Sequence, residues 1–252
     1  MSAPQTDEEI KAIIRKKTIR AFAVWGLAAM LGLGAIATIF TGRGPTLEDN
    51  ISSSLRRTLE WNETVARTFF RKTHLAPEFG KDEISKPREN GEVGLEDEIE
   101  LKDWKLHLEG PGRSVDLSLD DIKAFPQHEM ITELKCIEGW SSIIHWKGPR
   151  LADVLTKYQM VDPGAPFNVG METPDGEYYV GIDGETALHP QTLLAYEKND
   201  HALTQEEGFP LRLATPLKYG IKNIKRVAVI RISKDRPKDY WAERSYDYYA
   251  GH

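Results

Sequence analysis

A chain of 252 residues with one cysteine, Cys136, cannot staple itself together. A disulfide framework, a C-x-x-C-H haem attachment and a Cys-rich zinc or iron–sulfur site all need more than one, so this chain must close on a buried apolar core. With 40% hydrophobic and 29% charged residues, it is long enough for one well-buried domain and an appendage. In an oxidising compartment an unpaired thiol is a liability unless it is buried or bound. The net charge of −6 offers no basic field to nucleic acid.

The second constraint is Ala21–Phe40, twenty residues without a charge. At about 1.5 Å per residue a helix of that length matches a hydrocarbon core, and the run shows no polar face. The expectation is an uncleaved transmembrane anchor over 21–41. Lys11, Arg15, Lys16, Lys17 and Arg20 precede the run and only Arg43 closely follows it, which puts residues 1–20 in the cytoplasm and the rest outside. The expected location is a single-pass inner-membrane protein with its main domain on the periplasmic side.

After the breaker cluster Thr41-Gly42-Arg43-Gly44-Pro45, Leu47, Ile51, Leu55, Leu59, Val65 and Phe69 recur at helical spacing. Residues 42–95 read as a linker helix and an extended arm, and 96–252 as the compact domain. There, Asp103–Glu109 alternates as a strand, Ser114–Leu119 forms a second, and Ser118-Leu119-Asp120-Asp121 caps a short helix. Glu129–Lys135 is a third strand that delivers Cys136. A helix follows Arg150, a hairpin closes around Thr173-Pro174-Asp175-Gly176, Leu188–Tyr196 holds a helical turn, and Arg226–Ser233 is the closing strand. The pattern is a strand-rich, mixed α+β domain preceded by one transmembrane helix.

No G-x-S-x-G elbow, P-loop, G-x-G-x-x-G or H-E-x-x-H occurs, and the seven histidines lack ligand spacing. Cys136 and His145 are one candidate nucleophile pair, but a lone cysteine is more often a small buried hydrophobe. The neighbouring residues say more. Lys135-Cys136-Ile137-Glu138-Gly139-Trp140-Ser141, then His145-Trp146-Lys147-Gly148, and later Pro210-Leu211-Arg212-Leu213 with Pro216-Leu217-Lys218-Tyr219-Gly220-Ile221-Lys222-Asn223-Ile224-Lys225, resemble the molybdenum-binding core of the sulfite oxidase superfamily. The similarity is greatest to its branch of catalytic subunits of periplasmic protein-methionine-sulfoxide reductases.

That resemblance implies a sulfite-oxidase-type fold and a molybdenum–molybdopterin cofactor, with Cys136 as the metal ligand. A thiolate is a soft donor suited to such a metal. Glu138 matches an acidic residue near the metal that can move protons, or is a structural carboxylate. Arg212, Asn223, Ile224, Lys225 and Thr173 match cofactor contacts. His74, Pro77 and Glu78 stand where the family's arm contributes, although only Glu78-Phe79-Gly80 keeps its wording. Glu207 occupies the place of a cofactor-binding asparagine. Glu138-Gly139-Trp140-Ser141 is acidic and aromatic where sulfite oxidases are basic, which disfavours sulfite. Trp140, Trp146 and Tyr219 suggest an apolar wall for a sulfoxide, or are core aromatics.

The implied activity is oxygen-atom transfer, with a sulfoxide or related oxo group, small or protein-bound, as substrate. Electrons would come from a membrane b-type cytochrome or quinol-linked subunit, because the chain carries no haem, flavin or iron–sulfur motif. An accessory or docking subunit that keeps the fold with little catalysis is the alternative, and metal-free thiol chemistry by Cys136 is a third reading.

Overall fold

Leu106 and Leu108 are both fully buried on alternate positions of a five-residue strand, β1 (Leu106–Gly110), as the period of two requires. In the computed structural model, which describes residues 7–41, 53–71, 73–86, 88, 91–162 and 164–252, β1 lies inside a five-stranded sheet. It pairs antiparallel with β2 (Arg113–Leu117) and parallel with the closing strand β11 (Val229–Ser233). β5 (Asn168–Glu172) and β6 (Tyr179–Asp183) complete the order β2-β1-β11-β5-β6. Leu108, Met171 and Ile230 meet on one face, with Leu151, Val154 and Leu155 of α4 (Leu151–Lys157) in the same core. The capping residues act as expected: Ser118 Oγ accepts from the Asp121 N–H at 3.2 Å while Asp121 takes the Ser118 N–H at 2.9 Å, opening α3 (Leu119–Lys123).

A four-stranded sheet carries the segment around Cys136. β3 (His128–Lys135) pairs along its whole length with β4 (Ser141–Gly148), and β4 with β8 (Glu197–Lys198), which pairs with β9 (His201–Ala202). Its core holds Met130, Ile144 and Trp146 against Leu193, Ala195 and Ala214. Leu193 and Ala214 belong to β7 (Leu193–Ala195) and β10 (Arg212–Ala214), a separate two-stranded sheet. The helical turn expected over Leu188–Tyr196 is therefore a turn followed by a strand. Pairing with β10 and Pro190, which lacks an N–H, override the local pattern. The arm at 74–85 runs along this part: Phe79 N–H donates to the Ile131 carbonyl at 3.0 Å and Ser85 N–H to that of Ile143 at 3.1 Å.

The described chain divides into Met1–Trp61 and Asn62–His252. The first contains α1 (Asp7–Thr41), one continuous helix of 35 residues. Among the described residues, no helix is long and apolar enough to cross a membrane. This corrects the expected anchor over 21–41 and the single-pass inner-membrane location. The uncharged run is not a separate apolar rod: it continues a half-helix carrying Lys11, Arg15, Lys16, Lys17 and Arg20, and much of it is Ala21, Ala23, Gly26, Ala28, Ala29, Gly32 and Gly34, which bring little apolar surface per residue. α2 (Ser53–Phe69) forms within the expected amphipathic stretch. Gly42–Pro45, Leu47 and Ile51 lie outside the described residues.

Asp183 caps α5 (Gly184–Ala187) by accepting from Thr186 N–H at 2.8 Å and Thr186 Oγ–H at 2.9 Å, and faces Lys218 Nζ at 3.0 Å. Burial opposes the carboxylate, but Lys218 and the two Thr186 donors outweigh it and hold Asp183 below its usual range. Burial pulls Lys218 down to about 8, only partly offset by Asp183, so the pair reads on the acid limb, where Lys218 stays charged. The stability it adds is full above about pH 4, the unfolded value, and is lost as pH falls through the lower folded value. Melting temperature between pH 5 and pH 2 should fall less steeply in Asp183→Asn than in the native protein; parallel slopes would refute this.

Candidate functional site: the Cys136 cavity

Cys136 follows β3 at the start of a tight return. Its N–H donates to the Trp140 carbonyl at 2.9 Å, and the Gly139 N–H donates to the Cys136 carbonyl at 3.1 Å. Gly139 sits at φ +90°, a backbone region that glycine enters without a Cβ clash. The turn aims Cys136 into a cavity of about 190 Å³ whose wall includes Glu138, Trp140, Trp146, Tyr178, Lys198, Arg212, Asn223 and Lys225. The thiol is half-buried. Glu138 lies exposed beside it and accepts from Trp140 Nε1–H at 2.9 Å.

Arg212 is buried on β10. Its Nη1 donates to the Glu207 carbonyl at 2.9 Å and its Nη2 to the Asn223 carbonyl at 3.2 Å, and the guanidinium lies 4.7 Å from the centre of the Trp146 ring. Asn223 pins the return through which the chain reaches the cavity: its Oδ1 accepts from Thr215 N–H at 2.7 Å while its Nδ2 donates to the Tyr219 carbonyl at 3.2 Å. Lys225 Nζ reaches the Gly91 carbonyl at 3.4 Å.

Cys136, Glu138, Arg212, Asn223 and Lys225 thus share one cavity. Other expected site residues do not. Thr173 closes the β5–β6 hairpin, its Oγ 2.6 Å from Asp175 Oδ1 and accepting from Tyr178 N–H at 3.1 Å. The Ile224 side chain is buried in the main core. His74 and Pro77 border a second cavity of about 540 Å³, together with Glu133 and Lys135, while Glu78 Oε1 meets Gln191 Nε2 at 3.4 Å. β3 alternation separates the two cavities: Glu133 and Lys135 serve one, Leu134 and the following Cys136 the other. Tyr219 packs edge-on against His252 at 4.9 Å. His145 lies between Glu129 at 3.2 Å and Asp200 at 3.0 Å and does not line the Cys136 cavity, so the geometry offers no Cys–His nucleophile pair.

Lys198, Tyr178, Trp241 and Tyr246 line the cavity and have no signature in the sequence motifs. Burial raises the Tyr178 hydroxyl above its usual range, so it stays protonated and donates to the Ile221 carbonyl at 2.7 Å.

The lining combines one thiol, the cations Arg88, Lys198, Arg212 and Lys225, an aromatic wall and, among the described residues, one carboxylate. A soft donor beside converging cations suits a group that joins a thiophilic metal to an anionic phosphate. A sequence-family model for an oxidoreductase molybdopterin-binding domain matches residues 92–241. The chain belongs to this family. It is an oxidoreductase, and its cofactor is molybdenum–molybdopterin.

This molybdopterin-binding oxidoreductase is 31% identical over 229 residues to a putative protein-methionine-sulfoxide reductase subunit YedZ1 of Azospira oryzae, covering 89% of this chain and 86% of that one. It is 33% identical over 180 residues to the protein-methionine-sulfoxide reductase catalytic subunit MsrP of Campylobacter jejuni, covering 63% and 59%. The MsrP of Xanthomonas campestris is 34% identical over 160 residues, with 57% and 49% covered. The chain therefore spans about half to three fifths of the length of these two MsrP relatives. The sulfane dehydrogenase SoxCD of Paracoccus pantotrophus shares the fold, with a TM-score of 0.50 and 20% identity over 55% of this chain and 40% of that one.

Proposed function

We propose that this protein reduces a sulfoxide, with methionine sulfoxide as the substrate class, by oxygen-atom transfer at the Cys136 cavity. The observation that carries the reading is one wall on which Cys136, Glu138, Arg212, Asn223 and Lys225 converge beside Trp140 and Trp146. The names carried by its relatives, protein-methionine-sulfoxide reductase subunits, support the substrate class.

The reaction balances as one sulfoxide, two protons and two electrons giving one sulfide and one water. When bound, the cofactor would supply two-electron redox chemistry and oxygen-atom transfer, giving two electrons to the sulfoxide and regaining them from the redox partner. Cys136 holds the cofactor's metal through its thiolate. Arg212 and Lys225 bind the phosphate end of the pterin, and Asn223, by fixing the 215–223 return, keeps the backbone before Lys225 in place. Trp140 and Trp146 offer the weakly polar sulfoxide a surface that excludes water. Glu138 is the proton carrier: the Trp140 Nε1–H orients its Oε2, and exposure lets it reload from solvent. The electrons come from a separate redox subunit, of the b-type cytochrome or quinol-linked kind.

Glu138→Gln keeps the hydrogen bond to Trp140 and removes the titrating proton. Turnover of methionine sulfoxide with an artificial electron donor is expected to fall about 100-fold or more, with little change in KM. An unchanged turnover across pH would assign Glu138 a purely structural role. Purified protein with no molybdenum from a molybdenum-replete host would favour a docking subunit instead.

A further inference from the structure

At position 207 the family resemblance places a cofactor-binding asparagine, and this chain carries Glu207. Its side chain does not line the Cys136 cavity. Glu207 Oε1 lies 2.9 Å from Lys198 Nζ, and its Oε2 accepts from the Thr204 N–H at 3.0 Å and lies 3.1 Å from His201 Nε2. Burial opposes the charge, but Thr204, Lys198 and His201 outweigh it and hold Glu207 below the usual carboxylate range. Lys198, by contrast, is on the cavity wall, although its side chain is only 1% exposed.

The sheet explains the exchange. Lys198 sits opposite Trp146 on the β4–β8 ladder, and Trp146 carries the Arg212 guanidinium on its ring. The Glu207 carbonyl accepts from Arg212. One residue therefore grips both cations, Lys198 through its carboxylate and Arg212 through its backbone. A buried lysine without that carboxylate, or the carboxylate without the lysine, would be strongly unfavourable. An ammonium carries three donors and no acceptor, so it can serve Glu207 and an anion together.

We infer that Lys198 is a cofactor-binding residue of this chain, supplying to the anionic pterin the donor that the asparagine supplies elsewhere in the family, with Glu207 as its positioning residue. The assignment rests on the Cys136 cavity being the cofactor site. A charged donor in place of an amide also makes retention of the cofactor more sensitive to salt.

The test uses full-length protein purified from a molybdenum-replete host and dialysed against high salt. Molybdenum is read by elemental analysis and pterin by the fluorescence of its oxidised derivative. Glu207→Gln, which keeps a hydrogen-bond partner for Lys198 but removes the carboxylate that positions it, is expected to retain less pterin than the native protein and more than the double variant below. The charge-neutral pair Lys198→Met with Glu207→Gln, with circular dichroism matching the native protein, is expected to lose it about tenfold or more. Pterin and metal equal to the native protein in that folded double variant would overturn the assignment. Should that pair not fold, Lys198→Leu with Glu207→Met, which replaces both charged partners by apolar groups and leaves no donor at 198, is read on the same scale. Cys136→Ser separates the two claims: if it loses molybdenum while the double variant keeps both, only the Lys198 role fails. If Cys136→Ser itself keeps molybdenum, the cavity is not the cofactor site.

Discussion

Cys136→Ser is expected to arrive without molybdenum and to lose more than about 100-fold in turnover, since residues that merely support a metal ligand already cost 10–100-fold when changed. A serine hydroxyl is a hard, protonated donor at neutral pH and does not replace a soft thiolate. The turn itself should survive, because Cys136 is held there by its backbone N–H and carbonyl, bonded to Trp140 and Gly139. Melting temperature should therefore change little when apo forms are compared. Elemental analysis, the metal's spectroscopic signature and turnover with an artificial donor are the three readouts. Native occupancy and an unaltered spectrum in the variant would remove the basis for the site.

The largest loss of stability is expected from Asp239→Ala. Lys222 and Asp239 form an ion pair whose side chains are each 1% exposed. Asp239 also accepts from the N–H groups of Gly181 and Ala242, both at 3.0 Å, while Lys222 Nζ donates to the Gly181 carbonyl at 2.9 Å. Gly181 permits this packing, because a Cβ there would fall 1.9 Å from the Tyr248 hydroxyl. Removing the carboxylate strands a buried ammonium, at a cost of about 3–5 kcal/mol. For a domain of this size that lowers the melting temperature by roughly 10 °C. Adding Lys222→Met to Asp239→Ala should recover part of the loss, since the stranded charge is then gone. A single variant within about 1 kcal/mol of the native protein would show that solvent or another group compensates the lysine.

The three lysines of the Pro216–Lys225 stretch show where a linear reading stops. In sequence, Lys218, Lys222 and Lys225 look alike, spaced along one basic block. In the fold, Lys218 and Lys222 are buried against Asp183 and Asp239, carboxylates 35 residues before Lys218 and 17 after Lys222 in the chain, and only Lys225 reaches the Cys136 cavity. Thr173 shows the same limit. Its motif position suggests a cofactor contact, yet its hydroxyl satisfies its own hairpin. The apolar run at 21–40 shows the converse, where local composition overstated what the helix containing it can do.

Short-range physics was readable from the chain alone: the period-two strands of the five-stranded sheet, the Ser118 cap, the turn at Thr173–Gly176 and the thiol at the end of β3. Each depends on residues within a few positions of one another, so its cause is written locally. Tertiary structure decided which charges are spent on each other and which face the cavity. The strand at Leu193–Ala195 and the separation of the arm's His74 and Pro77 from Cys136 were settled the same way. Those outcomes depend on pairings such as Lys198 with Glu207 and Arg212 over Trp146, whose energies come from burial and proximity. Neither exists until distant segments have packed together.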